Sequence, residues 1–521
     1  CALPICCHGQ VRNVYRSYGI VQAAGLEVGS DVGVEKGFTP LVGQVDGLWG
    51  EVVYVGSDVD NVGLGFLVYA AFQSQTEVGV VNGQLSDGVV PAVRAVDVDV
   101  LIQVAVILKL VDETLAVSGA IHMRGPKYCG KTWTSKYHCN SFYQLDQPDG
   151  NYHNLQLARL DLSYALSGES PRLIDEWQLI PTVWDAVRNV VDEEGRKGMF
   201  ILSGSSTPKR ESRPLHSGLG RIAPIRIRTM SLFESKDSDG SVSLNDMFSG
   251  RFVNTPIKEV SLDSLIDLTI RGGWPGNLGL NPSQAAKAMS IYVNQICCED
   301  LQAVDDSKDP ARMMRVLRSL SRNESTMASK SMIARDIKEF DDDTITNDTV
   351  SEYMSVLDRM CLIEDQEAFD PNLRSSIRVG KSPKRHLTDP ALAISALGLT
   401  KEKLLDDLNT YGFMFEAMCE RDLQIYAYSN GGRLCHYRDG RGKEIDAVVE
   451  MPDGRWGAFE IKLGAGAIDE GAENLKRMDD LIRNDPKGRP PEFLAVICGL
   501  SSAAYMREDG VYVLPITSLG P

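Results

Sequence analysis

Residues 124–135 read RGPKYCGKTWTS: a glycine, four residues, then Gly-Lys-Thr. Chains use that spacing to hold a nucleoside triphosphate, and it needs a strand before it and a helix after it. The text around it, LKLVDETLAVSGAIHMRGPKYCGKTWTSKYH, reads as helix, a short strand over 120–123, a loop over 125–132 and a helix opening at Thr132. Glycines let backbone N–H groups wrap phosphates closely, and the helix N-terminus adds a partial positive charge. The candidate phosphate-binding residues are Gly125, Pro126, Lys127, Tyr128, Cys129, Gly130, Lys131 and Thr132. Lys131 would reach the β- and γ-phosphates, and the Thr132 hydroxyl would hold Mg²⁺. ATP and Mg²⁺ are the expected ligand and cofactor. The competing reading is a chance match in an ordinary loop.

Two downstream strings argue against chance. PRLIDEWQ (171–178) reads as a strand ending in Asp175-Glu176, some 45 residues after the loop. Asp175 suits the metal's shell, and Glu176 suits the general base that polarises an attacking water. GMFILSGSS (198–206) reads as an apolar strand ending in Ser203, Gly204 and Ser205, and a hydroxyl there would sit beside the γ-phosphate. PTVWDAVRNVVDEEG between them is an amphipathic helix closed by glycine. The series predicts a parallel α/β sheet around a phosphate loop.

Taken together, GPKYCGKTWTSK, PRLIDEWQ, WDAVR, FILSGS and HSGLGRIAPIRIRTMSLFES resemble the prokaryotic AAA-type (P-loop) ATPases that carry a C-terminal domain of unknown function. The resemblance runs from about residue 107 to the end. It implies that Arg221, in the Gly-Arg before the last core strand, is a candidate arginine finger offsetting charge on the transferring phosphoryl group; the plain alternative is a surface arginine beside Arg226 and Arg228. Gly273-Trp274-Pro275, within RGGWPGNLGL, resembles the nucleotide-contacting G-x-P turn in the helical lid of signal-transducing AAA-type ATPases; the plain alternative is a loop between helices. Residues 310–365 read as three helices and a short strand, resembling a winged helix. Its third helix carries Asp348, Glu352 and Asp358 against Arg359, which favours a structural or protein-contact role over DNA reading.

LRSSIRVGKSPKRH (373–386) is a sustained basic run with no acidic residue, readable as a solvated loop or as a phosphate-contacting strip. Beyond it, GFMFEAMCERDLQIYA is a helix bearing Glu416, KEIDAVVEM a strand bearing Asp446, and WGAFEIKLG a strand bearing Glu460 and Lys462. Period two puts Glu460 and Lys462 on one face. Three carboxylates, Glu416, Asp446 and Glu460, could hold one or two Mg²⁺, with Lys462 orienting a water for phosphodiester attack. The pattern resembles the PD-(D/E)xK nuclease fold. A hairpin with charged residues on an exposed face is the bland reading, and a domain that keeps its carboxylates for binding alone also stays open.

The first hundred residues differ: they hold 23 valines and 15 glycines, and the first methionine is Met123. They read either as a small all-β module or as translated upstream sequence rather than a natural domain, and the composition break near 107 favours the second. The best candidate for a membrane span, LIQVAVIL (101–108), is too short to cross a bilayer. Eleven cysteines without a C-x-x-C pair read as reduced thiols in a cytoplasm. A net charge of −17 argues against broad nucleic-acid binding, though a local basic patch could still serve.

The expected architecture is α/β: an AAA-type ATP-binding core over 107–230, a helical lid over 231–305, a winged-helix-like unit over 306–370 and a restriction-endonuclease-like domain over 371–521. Residues 1–106 stay unassigned. The expected function is ATP hydrolysis controlling a nuclease-like domain that acts on or binds DNA. The alternative is a nucleotide-dependent switch whose C-terminal domain binds a partner without catalysis. A homo-oligomer is a further partner to test, and no membrane is expected.

Overall fold

The computed structural model describes residues 107–204, 216–338, 345–439 and 442–521 with their side chains; before 107 it describes the backbone of five strands and the start of a helix. Ser205, Gly440 and Arg441 therefore lie outside the described residues. The chain divides into two units, Cys1–Ile102 and Gln103–Pro521. In the first, Leu26–Val28, Leu41–Val45 and Leu48–Val52 form an antiparallel sheet, and Gly65–Phe72 pairs with Gln75–Asn82 as a hairpin. The LIQVAVIL run falls in helix α1 (Val98–Val117), and among the described residues no helix is long and apolar enough to cross a membrane.

The second unit begins with five parallel strands: β1 (Ala120–Arg124), β2 (Ser141–Gln144), β3 (Arg172–Asp175), β4 (Phe200–Gly204) and β5 (Ile222–Arg226). Their order across the sheet is β5-β1-β4-β3-β2, so every strand delivers its C-terminus to the same edge. Alternate residues serve opposite faces. Ala120, Ile174 and Leu202 pack with Val183, Val187 and Val191 of α3 (Thr182–Glu194), while Ile121, Met123 and Ile201 pack with Val111 and Leu115 of α1. Each such buried valine contributes roughly 1.5–3 kcal/mol. Helix α3 stops where the sequence says it should: Gly195 takes φ 64° and its N–H caps the Val191 carbonyl. The helix after the loop, α2, is Lys131–His138.

The middle of the chain is helical: α4 (Leu262–Arg271), α5 (Pro282–Gln295), α6 (Pro310–Arg322), α7 (Lys330–Lys338) and α8 (Asn347–Arg359). After α8, antiparallel bridges join Ile363 to Leu387 and Gln366 to Lys384. Helix α9 (Pro390–Leu397) packs on α6, and the long α10 (Leu408–Ser429) leads into the last sheet.

That sheet has eight strands: β6 (Thr255–Pro256), β7 (Glu367–Ala368), β8 (Arg433–Arg438), β9 (Glu444–Glu450), β10 (Trp456–Lys462), β11 (Phe493–Cys498), β12 (Ala503–Met506) and β13 (Tyr512–Pro515). Their order is β6-β12-β13-β11-β10-β9-β8-β7. Both edge strands come from segments expected to belong to other domains. The 231–305 segment also gives Val242–Ser243, which pairs in parallel with Leu519–Gly520. Ala447, Val449, Phe459 and Ile461 face α10; Val448, Ala458 and Val496 face α11 (Ile468–Arg483). A period-two pattern thus fills two cores, one per face.

Candidate functional site

The phosphate loop runs from the end of β1 into α2 on the edge where all five strands end. Two glycines are demanded locally. A Cβ on Gly125 would meet the Ile227 carbonyl at 2.3 Å, and Gly130 takes φ 100° before the helix. Tyr128, also at positive φ, is exposed. Lys131 is buried, and its Nζ donates to the Pro126 carbonyl at 2.7 Å, folding across its own loop.

The Thr132 hydroxyl donates to Asp175 Oδ2 at 3.0 Å. Burial raises the Asp175 pKa, while hydrogen bonds from Ser203 and Thr132 pull it back. Ser203 is level with Asp175 across β3 and β4 and is fully buried. Strand β3 ends at Asp175. Glu176 follows in the left-handed region, φ 55°, which turns its side chain out of the strand's alternation. Its carboxylate accepts from Gln178 Nε2, and burial raises its pKa against that bond. Sequence reasoning missed Gln178; no local signal marks a glutamine two residues past a carboxylate as its partner.

Arg221 stands elsewhere. It precedes β5, and its carbonyl accepts from Ala120 N at 2.9 Å, at the sheet edge where the strands begin. The five-residue β1 separates that edge from the loop by about 16 Å. Its Nε donates to Asp192 at 2.6 Å. The role expected of Arg221 at the nucleotide is thus not available at this chain's own loop, because β5 runs parallel to β1 and Arg221 starts it. The arginines at and just past the other end of β5 turn inward: Arg228 binds Glu364 at 2.6 Å and Arg226 lies 3.3 Å from the same carboxylate.

The Gly273-Trp274-Pro275 turn lies on the loop. Trp274 Nε1 donates to the Lys127 carbonyl at 3.2 Å and Tyr292 OH to the same oxygen at 3.1 Å. Pro275 would be 3.9 Å from a Cβ on Gly130. Lys127 Nζ pairs with Asp300 at 2.6 Å. Behind the turn, the fully buried Asp389 accepts from Gly273 N, the Thr229 hydroxyl and Arg421 Nη1, each at 2.9 Å. Arg421 also binds Asp422, which accepts from Leu232 N at 2.9 Å. One carboxylate therefore joins the exit of the first sheet, the turn on the phosphate loop and helix α10. Asp389 was not singled out from sequence, although Asp-Pro opening an apolar run is an N-cap signal, and its side chain does cap α9 through Ala391 N.

The second constellation lies on strands β9 and β10, with Glu416 contributed by α10. Asp446, Glu460 and Lys462 come together: Lys462 Nζ is 2.6 Å from Glu460 and 3.9 Å from Asp446. Asp446 Oδ2 accepts from Ile461 N at 2.7 Å, and Glu460 accepts from Asn474 of α11 at 2.5 Å. Burial first, then the Asp446 charge, pushes Glu460 up to about 7. Glu416 approaches from the helix on the opposite face and is bonded to Lys384. Among the described residues no three His, Cys, Asp or Glu side chains are grouped to hold a metal ion. The expected set Glu416, Asp446 and Glu460 is answered by two ammonium groups instead.

The basic run is correspondingly spent inside the protein. Arg378 forks onto Glu450 at 2.9 and 3.0 Å, Lys381 binds the Arg438 carbonyl, Lys384 binds Glu416 and Glu420, and Arg385 binds Asp365. The expectation of a phosphate-contacting strip gives way for these four, since charge read along a sequence does not reveal the acids that fold against it. The acidic face of α8 keeps Asp348 and Asp358 exposed, and Glu352 pairs with Lys308 at 2.5 Å.

Residues 118–236 match a family model described as an AAA domain. Residues 262–403 and 411–519 match two domains of unknown function, DUF8612 and DUF4143. An uncharacterised protein of Mycobacterium bovis and one of Mycobacterium tuberculosis are each 23% identical over 343 residues, covering 65% of this chain and 69% of the relative. Among solved structures, the Aeropyrum pernix ORC2 protein in ADPNP-ADP complexes is 11% identical, covers 62% of this chain and 97% of its own, and gives a TM-score of 0.22. Drosophila ORC bound to DNA is 11% identical, covers 60% and 95%, and gives 0.16. Likeness this distant carries no argument about this chain. The matched model, together with the loop, makes residues 118–236 an AAA-type nucleotide-binding domain.

Proposed function

We propose that this chain binds ATP with Mg²⁺ at residues 125–132, hydrolyses it, and uses the cycle to control its C-terminal domain. The observation that carries this reading is the Thr132 hydroxyl on the Asp175 carboxylate at 3.0 Å, with Glu176 next in the chain. The residues fit the expected ligands: the Thr132 hydroxyl and the Asp175 carboxylate already face each other, with the buried Ser203 beside them. Thr132 and Asp175 would hold the metal, which when bound neutralises charge on the phosphoryl oxygens. Loop N–H groups bind the phosphates. Lys131 exchanges the Pro126 carbonyl for phosphate oxygens. Glu176 takes the proton of the attacking water, and burial raises its pKa and so its basicity. Gln178 aims that carboxylate. Arg221 serves the nucleotide of a neighbouring copy, so a homo-oligomer belongs to the proposal.

The contact from Lys127 through the 273–275 turn to Asp389 and Arg421 supports control of α10 by nucleotide. In this reading the C-terminal domain, in the cytoplasm, resembles a PD-(D/E)xK nuclease and acts on or binds DNA, with residues 306–370 serving as a winged-helix-like unit. A second reading, a switch whose C-terminal domain only binds a partner, is favoured by the internal pairing of Lys384 and Lys462. Plasmid cleavage lost in Glu460→Ala selects the first; no cleavage with ATP turnover intact selects the second. The ATP site itself is tested by Lys131→Ala, which is expected to abolish nucleotide binding. Unchanged affinity overturns it.

A further inference from the structure

The carboxylates of the C-terminal constellation lie beside a lysine that comes from outside the strand-helix motif. Lys384 is buried, and its Nζ donates to Glu416, to Glu420 at 2.7 Å and to the Asp446 carbonyl at 3.2 Å. Nitrogen, two carboxylates and a backbone oxygen of the Asp446 residue thus converge where a divalent cation would need those oxygens. The remaining acceptors are engaged as well. Glu420 also binds the Ser325 hydroxyl at 3.0 Å and lies 3.3 Å from His386, which is 3.1 Å from Glu324. On the other face Lys462 takes Glu460, and Ile461 N takes Asp446. Lys384 cannot swing away alone. Its backbone exchanges two hydrogen bonds with Gln366, at 2.9 and 3.0 Å, and Arg385 beside it is bound to the Ala328 carbonyl and Asp365.

We propose that Lys384 is the resident cation of this carboxylate cluster, and that while the bridge to Gln366 holds, the C-terminal domain binds no divalent metal. A fixed ammonium donates to the oxygens a metal would ligate and repels a second positive charge at contact distance. A rearrangement that withdraws residues 384–387 would uncover Glu416, Glu420 and the Asp446 carbonyl together. This inference stands apart from the ATP site, so failure of either leaves the other intact.

The test is Mn²⁺ titration of the nucleotide-free full chain, followed by loss of the free-ion paramagnetic resonance signal. Wild type and Glu416→Gln should bind Mn²⁺ equally, since no wild-type site uses Glu416. Lys384→Met should gain one site, ~10-fold tighter or more, because the cluster loses its ammonium; Lys384→Met with Glu416→Gln should lose that site again. A wild-type Mn²⁺ site that disappears in Glu416→Gln overturns the proposal. So does a folded Lys384→Met protein, with normal circular dichroism, that gains no site. If Lys384→Met does not fold, the comparison of wild type with Glu416→Gln decides alone.

Discussion

The indole N–H of Trp274 donates to the backbone carbonyl of Lys127 at 3.2 Å, so the turn 147 residues downstream is tied to the phosphate loop itself. Trp274 is buried, and Tyr292 shares the same acceptor. Trp274→Phe keeps most of the packing and removes the donor. The expected result is a fall in nucleotide affinity of ~5-fold, about one hydrogen bond's net worth, with secondary structure unchanged. Titration with a fluorescent ATP analogue reads it. Unaltered affinity would mean that the turn does not shape the loop.

Asp389 holds three donors from three segments besides its own helix cap. Asp389→Asn removes the charge opposite Arg421, which is buried and retains Asp422. Breaking a buried pair on one side costs about 3 kcal/mol. Urea denaturation should show a loss of that size. A loss well under 1 kcal/mol would mean that Asp422 alone satisfies Arg421, and that Asp389 does not join the first sheet, the turn and α10 energetically.

Glu234 accepts from the backbone N–H and hydroxyl of Ser231 and is pushed up from 4.5 to about 7, chiefly by burial. A carboxyl with a raised folded pKa holds its proton more tightly when folded. Its contribution to stability falls as pH rises from about 4.5 to about 7, and the full cost remains above that. Glu234→Gln carries no such cost. Relative to wild type, the variant should gain stability between pH 5 and pH 8, by at most about 3 kcal/mol. Equal differences at both pH values would contradict the assignment.

Much of the nucleotide site was legible because its parts are local. Strand, loop and helix follow one another within 120–138, and Asp175 ends the strand next but one in the sheet, so spacing and apolar pattern were enough to predict that Lys131, Thr132 and Asp175 share one edge. The same holds for Asp446, Glu460 and Lys462 on adjacent strands. What stayed hidden depends on pairings no period reports. Lys384 meets Glu420 across 36 residues, and Asp389 meets Gly273 across 116. Strands of two residues, Thr255–Pro256 and Glu367–Ala368, are too short to alternate, so the edges of the last sheet could not be assigned. Arg221 was expected at the nucleotide from its string alone, whereas the parallel register of β5 decides which end of the sheet it occupies.

The central claim is that Glu176, one residue beyond the carboxylate that faces Thr132, is the base for ATP hydrolysis. The measurement is ATP binding and steady-state turnover, side by side, for wild type and Glu176→Gln in Mg²⁺. The account predicts near-wild-type affinity with turnover reduced ~100-fold or more, the usual size of a lost general base. Turnover that survives the substitution at wild-type rate, with binding intact, would contradict it.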